Sequence, residues 1–177
     1  MSISLAIDTS TSRTIVGVIQ DGVALFEKFH EGATDHGKAV SELVAEALRS
    51  TPPANQVVVG MGPGPFTGLR VGISFAHTFA LARTIPVIGV CSLDAIAIAQ
   101  SNYTVAVDAR RKEIYWARYE NSSRVDGPHV SKPDQVDGFI FDVFPDMNKL
   151  VSLSTHQNVT EPMYLRRPDA VPTAERT

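Results

Sequence analysis

Residues 3–29 read ISLAIDTSTSRTIVGVIQDGVALFEKF, and this stretch decides the fold. Apolar residues alternate with smaller ones over 3–7, β-branched residues dominate 14–19, and a third apolar run covers 23–29. Each of these patterns is typical of a strand. Asp21-Gly22 supplies the positive-φ residues that a tight hairpin requires between the second and third runs. The chain therefore opens with three consecutive antiparallel strands.

The rest of the first hundred residues alternates between helical and strand patterns. The predicted elements are a helix over 36–49, a strand over 57–59, a helix over 69–83, a strand over 85–90 and a short helix over 93–99. Pro52-Pro53 ends the first helix, and the second helix is apolar on almost every side. The order β-β-β-α-β-α-β-α is typical of one full lobe of the α/β, ribonuclease-H-like actin/hexokinase (ASKHA) fold.

A reduced second lobe is predicted after residue 100. Residues 103–107 form a strand that Asp108 ends, and residues 114–119 form its partner. Beyond residue 121 no amphipathic helix is evident. The candidates there are loops at Gly127-Pro128 and Lys132-Pro133 and strands over 139–144 and 150–153. The predicted division is a lobe over 1–100 and a shortened, mostly β lobe with a C-terminal tail over 101–177.

Composition and charge indicate a globular protein that does not bind nucleic acid on its own. Hydrophobic residues make up 44% of the chain and charged residues 20%, which is enough for a buried core. The formal net charge is −3, whereas a protein that neutralises phosphates alone shows a basic excess. We expect a cytoplasmic protein, because the chain opens on a strand without a signal-peptide pattern. No apolar run approaches the roughly 18 residues that span a bilayer.

Cysteine and histidine patterns predict neither a metal centre nor a catalytic nucleophile. The single cysteine, Cys91, excludes an internal disulfide, and its apolar neighbours indicate a small buried residue. The five histidines include no pair at i, i+4 spacing, so no helix-borne metal site is expected. His36, at the predicted start of the first helix, is expected at the surface.

Two turns are candidates for holding a nucleotide, since an actin-like site places two turns after Asp-ended strands face to face. Asp8-Thr9-Ser10 forms the first, although an ordinary polar turn has the same composition. The second, after Asp108, carries Arg110-Arg111-Lys112 where glycines would let phosphates approach the backbone. The sequence therefore disfavours a self-sufficient kinase or ATPase. It leaves Asp8, Thr9, Ser10 and Arg110 as vestigial or complex-dependent cofactor-binding residues, with no catalytic residue and no metal ligand.

The glycine-rich loop over 60–68 is predicted to be structural. It lacks the Gly-Lys-Ser/Thr ending of a Walker A loop, and its two prolines remove backbone donors. Thr67 is a candidate cap for the following helix. Gly68 and Gly72 are expected to let that helix pack closely against its neighbours.

Four segments resemble the TsaB (YeaZ) proteins of bacteria. They lie at residues 7–10, 62–72, 107–115 and 162–166, in the family's order. The resemblance implies a non-catalytic accessory subunit that pairs with the catalytic subunit TsaD. With TsaD and the ATPase TsaE, such a subunit serves in forming N6-threonylcarbamoyladenosine at position 37 of tRNAs that read codons beginning with A. It implies contact with tRNA only through the complex.

The same resemblance implies that the first-lobe helices pack against their counterparts in TsaD. The interface candidates are Val40, Leu43, Val44, Leu48, Leu69, Phe75, Ala76 and Phe79. The alternative is that the chain's own neighbouring helices cover the apolar helix. No cofactor is expected on the chain alone, whereas ATP or ADP at the subunit junction and a homodimer in isolation are open. Because family members carry a longer second lobe, the contacts with TsaE and in a homodimer stay open as well.

Two other functions remain open on the sequence. A stand-alone phosphotransferase or hydrolase of the ASKHA type would bind ATP and depend on Asp8. A tRNA-binding module would use the basic residues at 110–112 and the pair Arg166-Arg167. Runs of this kind are usually solvated surface, and the net charge favours that interpretation.

Overall fold

The computed structural model describes residues 1–166, which form two sheets and three α-helices. The first half of the chain contains β1 (Ile3–Asp8), β2 (Arg13–Gln20), β3 (Val23–Glu31), α1 (His36–Ser50), β4 (Gln56–Gly60), α2 (Phe66–Arg83) and β5 (Val87–Val90). The second half contains β6 (Tyr103–Asp108), β7 (Ile114–Glu120), β8 (Ser123–Ser131), β9 (Phe139–Ile140) and α3 (Met147–Leu153). Among the described residues, none of these helices combines the length and apolar character needed to cross a membrane.

The first sheet has the strand order β3-β2-β1-β4-β5. β1, β2 and β3 are antiparallel to one another, whereas β4 and β5 run parallel to β1. α1 and α2 pack on one face and α3 on the other, so all six residues of β1 are buried. This arrangement confirms the predicted β-β-β opening and the α/β actin/hexokinase class of fold.

The helix predicted over 93–99 is absent, and the prediction was wrong. This stretch forms tight turns followed by a single bridge between Ile96 and Pro145. The Ala95 N–H donates to the Ser92 carbonyl only three residues back, at 3.2 Å. The Ala95 carbonyl then accepts from the Asp146 N–H at 2.9 Å, so the helical ladder is not continued. The first hundred residues therefore have the order β-β-β-α-β-α-β.

α3 lies where the sequence predicted a strand over 150–153 and no helix. Met147 and Leu150 are fully buried against the first sheet. Met147 sits over Gly17 of β2, where an added Cβ would lie 2.8 Å from the Met147 Cβ. The Asp146 carboxylate caps the helix by accepting from the Lys149 N–H at 2.7 Å. Seven residues are too few to display a helical period, which explains the incorrect prediction.

The second sheet has the strand order β8-β7-β6-β9. β6 and β7 form the predicted antiparallel pair, and Asp108 lies opposite Ile114. β8 runs through Gly127-Pro128, which was predicted to be a loop, because the register shifts there let the strand accommodate a proline. β9 contains only two of the residues in the predicted strand over 139–144. The division at residue 100 stays a prediction.

Residues 157–166, here named the C-terminal strap, run across both halves of the chain. The Val159 N–H donates to the Gly89 carbonyl of β5 at 2.8 Å. The Met163 N–H donates to the Met61 carbonyl, also at 2.8 Å. The strap thereby covers the outer edge of β5 and leads the chain back toward the turn between β6 and β7.

Candidate functional site

Asp8, at the end of β1, points into the protein and is fully buried. One carboxylate oxygen accepts from the Ser10 N–H at 2.8 Å and from the Ser10 hydroxyl at 2.7 Å. The other accepts from the Ser92 hydroxyl at 2.6 Å. Burial raises the pKa of Asp8, and these hydrogen bonds oppose the rise. Gly60 lies so close that an added Cβ would overlap the carboxylate. The chain itself therefore occupies both oxygens.

Thr9 docks α2 onto the end of the first sheet. Its hydroxyl donates to the Gly68 carbonyl at 2.8 Å and accepts from the Gly72 N–H at 3.1 Å. The Gly68 carbonyl and the Gly72 N–H lie four residues apart, which is the spacing of one α-helical hydrogen bond. A Cβ at Gly68 would lie 3.0 Å from the Thr9 carbonyl oxygen, and one at Gly72 would overlap the Thr9 hydroxyl. The predicted close packing is confirmed, whereas Thr67 lies inside the helix rather than capping it.

The polar turn after β1 is thus used for packing. Asp8, Thr9 and Ser10 are all buried, and none of them lines a described cleft. A nucleotide would have to displace Ser92 and α2 to reach them. Their assignment as cofactor-binding residues stays a prediction, and in this structure their partners belong to the chain itself.

We predict that Thr9→Val destabilises the protein by about 1–3 kcal/mol, because it leaves the Gly68 carbonyl and the Gly72 N–H with one hydrogen bond fewer in a buried site. The measurement is urea unfolding. Thr78→Val, on the exposed side of the same helix, is the matched control and should be nearly neutral. Equal unfolding midpoints for the two variants would show that the Thr9 hydroxyl does not hold α2.

A cleft of about 550 Å³ opens between the start of α2 and the turn that joins β6 to β7. Its walls include Thr11, His36, residues 64–68, residues 109–111, Tyr115 and residues 164–166. Of the four predicted cofactor-binding residues, only Arg110 lines this cleft. The cleft therefore combines cationic side chains with the aromatic rings of Phe66, Tyr115 and Tyr164.

The turn between β6 and β7 has an unusual backbone. Arg110, Arg111 and Lys112 have φ values of 63°, 56° and 61°, so three consecutive non-glycine residues are left-handed. The Asp108 carboxylate accepts from the Arg110 N–H at 2.8 Å. The Ala109 N–H and Glu113 carbonyl close the turn at 2.9 Å. The sequence showed the missing glycines but not this conformation.

The basic residues near the cleft are partly neutralised. The Arg110 guanidinium lies 3.6 Å from the Asp108 carboxylate, and Arg166 forms an ion pair with Glu113. Arg167, the other half of the predicted basic pair, lies outside the described residues. These contacts reduce the charge that a tRNA-binding module would need.

His36 is buried at the start of α1, with only 4% of its surface exposed, so the predicted surface position was wrong. Its Nδ1 is hydrogen-bonded to the Thr14 hydroxyl at 2.8 Å, and Gly68 of α2 packs against its ring. Burial lowers the pKa of His36, and the charges of Arg110 and His30 lower it further while Asp35 opposes them.

We predict that acid destabilises the protein through His36. The unfolded side chain takes up its proton near its ordinary pKa of 6.5, and the folded one only at lower pH. This contribution to stability is therefore complete above pH 6.5 and is lost as the pH falls below it. His36→Gln should flatten the fall of the thermal midpoint between about pH 7.5 and about pH 5.5. Identical slopes in both proteins would contradict the prediction.

The eight predicted interface residues are either buried in the core of the first lobe or half-buried at its edge. Five of them are buried in the first-lobe core: Val40, Val44, Leu69, Ala76 and Phe79. The other three, Leu43, Leu48 and Phe75, are half-buried against the same core. Their role in an interface stays a prediction, but the chain's own sheet covers most of these side chains. The side chains of Val40, Val44, Leu69, Ala76 and Phe79 lie in the core that α1, α2 and the first sheet share.

The exposed residues of α2 form a separate surface that the sequence pattern does not reveal. This surface, the outer face of α2, consists of Phe66, Arg70, Ser74, His77 and Leu81 at helical spacing. Leu81 is 82% exposed, and the Arg70 guanidinium lies 5.1 Å from the Phe66 ring centroid. The sequence of α2 is apolar on nearly every side, so it does not show which side is exposed to solvent. That side is identified only by the position of the sheet in the structure.

Asp94 joins the two halves of the chain through a buried polar network. Its carboxylate accepts from the Tyr119 hydroxyl at 2.7 Å and from the Gln157 side-chain amide at 2.8 Å, and it pairs with Arg124 at 3.0 Å. Burial and the Asp94 charge raise the pKa of Tyr119. Nearby, burial raises the pKa of the Cys91 thiol to about 12, and the predicted buried position of this cysteine is confirmed. Within residues 1–166 no cluster of three acidic, His or Cys residues could hold a metal ion.

Comparison with known sequences places this arrangement in a family. The model of TsaD, tRNA N6-adenosine threonylcarbamoyltransferase, matches residues 30–170. An uncharacterized protein of Mycobacterium bovis is 38% identical over 203 residues, covering 98% of this chain and 96% of its own. The tRNA threonylcarbamoyladenosine biosynthesis protein TsaB of Escherichia coli is 33% identical over 126 residues, covering 66% of this chain. The chain spans 54% of the length of that TsaB, and 57% of a Mycobacterium leprae relative that is 39% identical.

Solved structures share the fold. YeaZ from Pseudomonas aeruginosa superposes with a TM-score of 0.69 at 24% identity, covering 88% of this chain and 91% of its own. A Pseudomonas aeruginosa protein with similarity to peptidase YEAZ gives a TM-score of 0.73 at 23% identity, covering 94% and 100%. The strand order and these neighbours define a fold of the ASKHA type. The chain belongs to the family that the TsaD model describes, in its TsaB (YeaZ) branch.

Proposed function

We propose that the chain is a non-catalytic accessory subunit in the cytoplasm. It pairs with a TsaD-type catalytic subunit in forming N6-threonylcarbamoyladenosine at position 37 of tRNAs that read codons beginning with A. Family membership supports the pathway, because TsaB relatives are named for threonylcarbamoyladenosine biosynthesis. The observation that carries the non-catalytic role is the closed turn after β1, where Ser10 and Ser92 occupy both oxygens of Asp8.

The proposed contact with the TsaD-type subunit is the outer face of α2. Leu81 is 82% exposed in the free chain, so covering it would remove apolar surface from water. A partner of the same fold would present a comparable helical surface for this contact. The half-buried Leu43, Leu48 and Phe75 would extend this contact toward α1. A TsaE-type ATPase and tRNA would be met through the assembled complex. A homodimer in isolation would use the same exposed surface.

We further propose that ATP or ADP binds at the subunit junction rather than on the chain alone. Arg110 and Tyr115 both line the cleft beside the start of α2, so the cleft offers a cation for phosphate and a ring for stacking. The basic residues of the cleft replace the backbone cradle that a self-sufficient phosphate site requires. The nucleotide would thus be a ligand of the complex.

The experiment that tests the proposed function has two measurements. Tagged chain, expressed with a TsaD homologue of the same organism, should co-purify with it in a stable complex. The isolated chain should show no ATP turnover. Turnover that Asp8→Asn abolishes in a folded protein would support the alternative, a stand-alone phosphotransferase or hydrolase. Steeply salt-dependent tRNA binding by the isolated chain would instead support a tRNA-binding module.

A further inference from the structure

The turn that presents Arg110 to the cleft is held in a conformation that its own residues disfavour. Left-handed backbone is unfavourable for every residue except glycine, and Arg110, Arg111 and Lys112 adopt it in succession. Such a conformation persists only where surrounding contacts determine it. Contacts within the turn include the bond from the Ala109 N–H to the Glu113 carbonyl, the bond from the Glu113 N–H to the Arg110 carbonyl and the bond from the Arg110 N–H to the Asp108 carboxylate.

A further contact comes from the other end of the chain. The Arg166 guanidinium donates to the Arg110 carbonyl at 3.3 Å and forms an ion pair with the Glu113 side chain. It therefore bridges Arg110, the first left-handed residue, and Glu113, the residue that follows the last one. A guanidinium suits this task, since its planar fork can serve two acceptors in fixed geometry.

The C-terminal strap fixes Arg166 in turn. The Met163 N–H donates to the Met61 carbonyl at 2.8 Å, in the loop that precedes α2. Tyr164 packs on Phe66 at the start of α2, with ring centroids 4.9 Å apart. Arg166 follows two residues later and reaches the turn across the cleft that it helps to line.

We propose that Arg166 is a positioning residue that clamps the left-handed turn, and through it sets Arg110 in the cleft. The clamp couples the strap to the cationic wall of the site, so a movement of the strap would reorient Arg110. The clamp itself does not depend on the proposed function; only the identity of the ligand that Arg110 would bind rests on it.

The test is a double-mutant cycle between Arg166 and the turn. Lys112→Gly removes the backbone strain at φ 61°, because glycine accepts that conformation freely. Trypsin cleavage after Arg110 and Arg111, followed by mass spectrometry in native buffer, reports opening of the turn itself. Arg166→Gln should accelerate this cleavage at least about tenfold. The double variant, Arg166→Gln with Lys112→Gly, should return toward the wild-type rate, and Arg166→Lys should fall between.

Coupling between the two sites separates a clamp from an ordinary structural role. Loss of general packing at residue 166 would leave the effects of Arg166→Gln and Lys112→Gly additive, and that result would overturn the proposal. Unchanged cleavage in Arg166→Gln would overturn it as well. Thermal midpoints of all variants identify global unfolding, which glycine at 112 would not reverse. Because the cycle needs no partner or nucleotide, its outcome is independent of whether the chain pairs with a TsaD homologue.

Discussion

Leu81→Asp should strongly weaken pairing with a TsaD homologue while leaving the isolated chain folded. The side chain is 82% exposed, so a carboxylate there meets water and costs the free chain little. At a covered interface the same carboxylate would be buried without a partner. Because a central apolar anchor contributes about 2 kcal/mol or more, we expect binding to weaken roughly 30-fold or more. Isothermal titration calorimetry measures the affinity, and thermal unfolding verifies the fold.

The matched control is Val125→Asp on β8. Val125 is 53% exposed and lies in the second sheet, away from α2, so the variant introduces the same charge outside the proposed contact. It should bind like the wild type. Wild-type affinity in a folded Leu81→Asp variant would exclude the outer face of α2 as the interface, whereas weakening in both variants would indicate an effect of net charge.

Asp94→Ala should destabilise the protein strongly. The change removes a common acceptor of the Tyr119 hydroxyl and the Gln157 amide and leaves Arg124 without its carboxylate. Breaking a buried pair of this kind costs about 3–5 kcal/mol. Arg124 retains some access to solvent, so we expect the lower end of that range. The corresponding fall in the thermal midpoint is roughly 6–12 °C for a domain of this size.

Asp126→Ala serves as the control for Asp94→Ala. Asp126 pairs with His129 on the exposed part of β8, so its removal should leave the midpoint nearly unchanged. The two variants share the loss of one carboxylate and differ in burial. Similar midpoints for both would mean that the Asp94 network does not join the two halves of the chain.

Local sequence patterns were sufficient to predict the strands and helices that bury a whole face against the core. The alternation in β1, the β-branched run in β2, the helical spacing in α1 and α2 and the apolar runs in β4 and β5 reflect contact with the core on the two faces of the first sheet. β3 was also predicted, although most of its residues are exposed. Local patterns failed where long-range contacts override local preference. The stretch over 93–99 forms turns because Asp146 takes the Ala95 carbonyl, and α3 is too short to show its period. β8 was missed because Gly127-Pro128 is a loop signal in most contexts.

The candidate site depends even more on distant residues. Asp8 is closed off by Ser92, 84 residues away, and nothing near Asp8 in the sequence indicates this bond. Thr9 packs on glycines that were correctly expected to allow close approach, although the partner could not be named. The left-handed turn at 110–112 contains no glycine, so propensity alone predicts against it. Its conformation follows from Arg166, which only the folded chain brings near.

Reconstituted tRNA modification tests the central claim, that this chain is a required but non-catalytic partner. The mixture contains a TsaD homologue, a TsaE homologue, the synthase that supplies the threonylcarbamoyl adenylate and an unmodified tRNA that reads codons beginning with A. N6-threonylcarbamoyladenosine is measured by mass spectrometry of the digested tRNA. The account predicts modification only when the chain is added, with wild-type rates for Val125→Asp and a much lower rate for Leu81→Asp at subunit concentrations near the wild-type dissociation constant. Equal modification without the chain, or modification by the chain in the absence of the TsaD homologue, would contradict it.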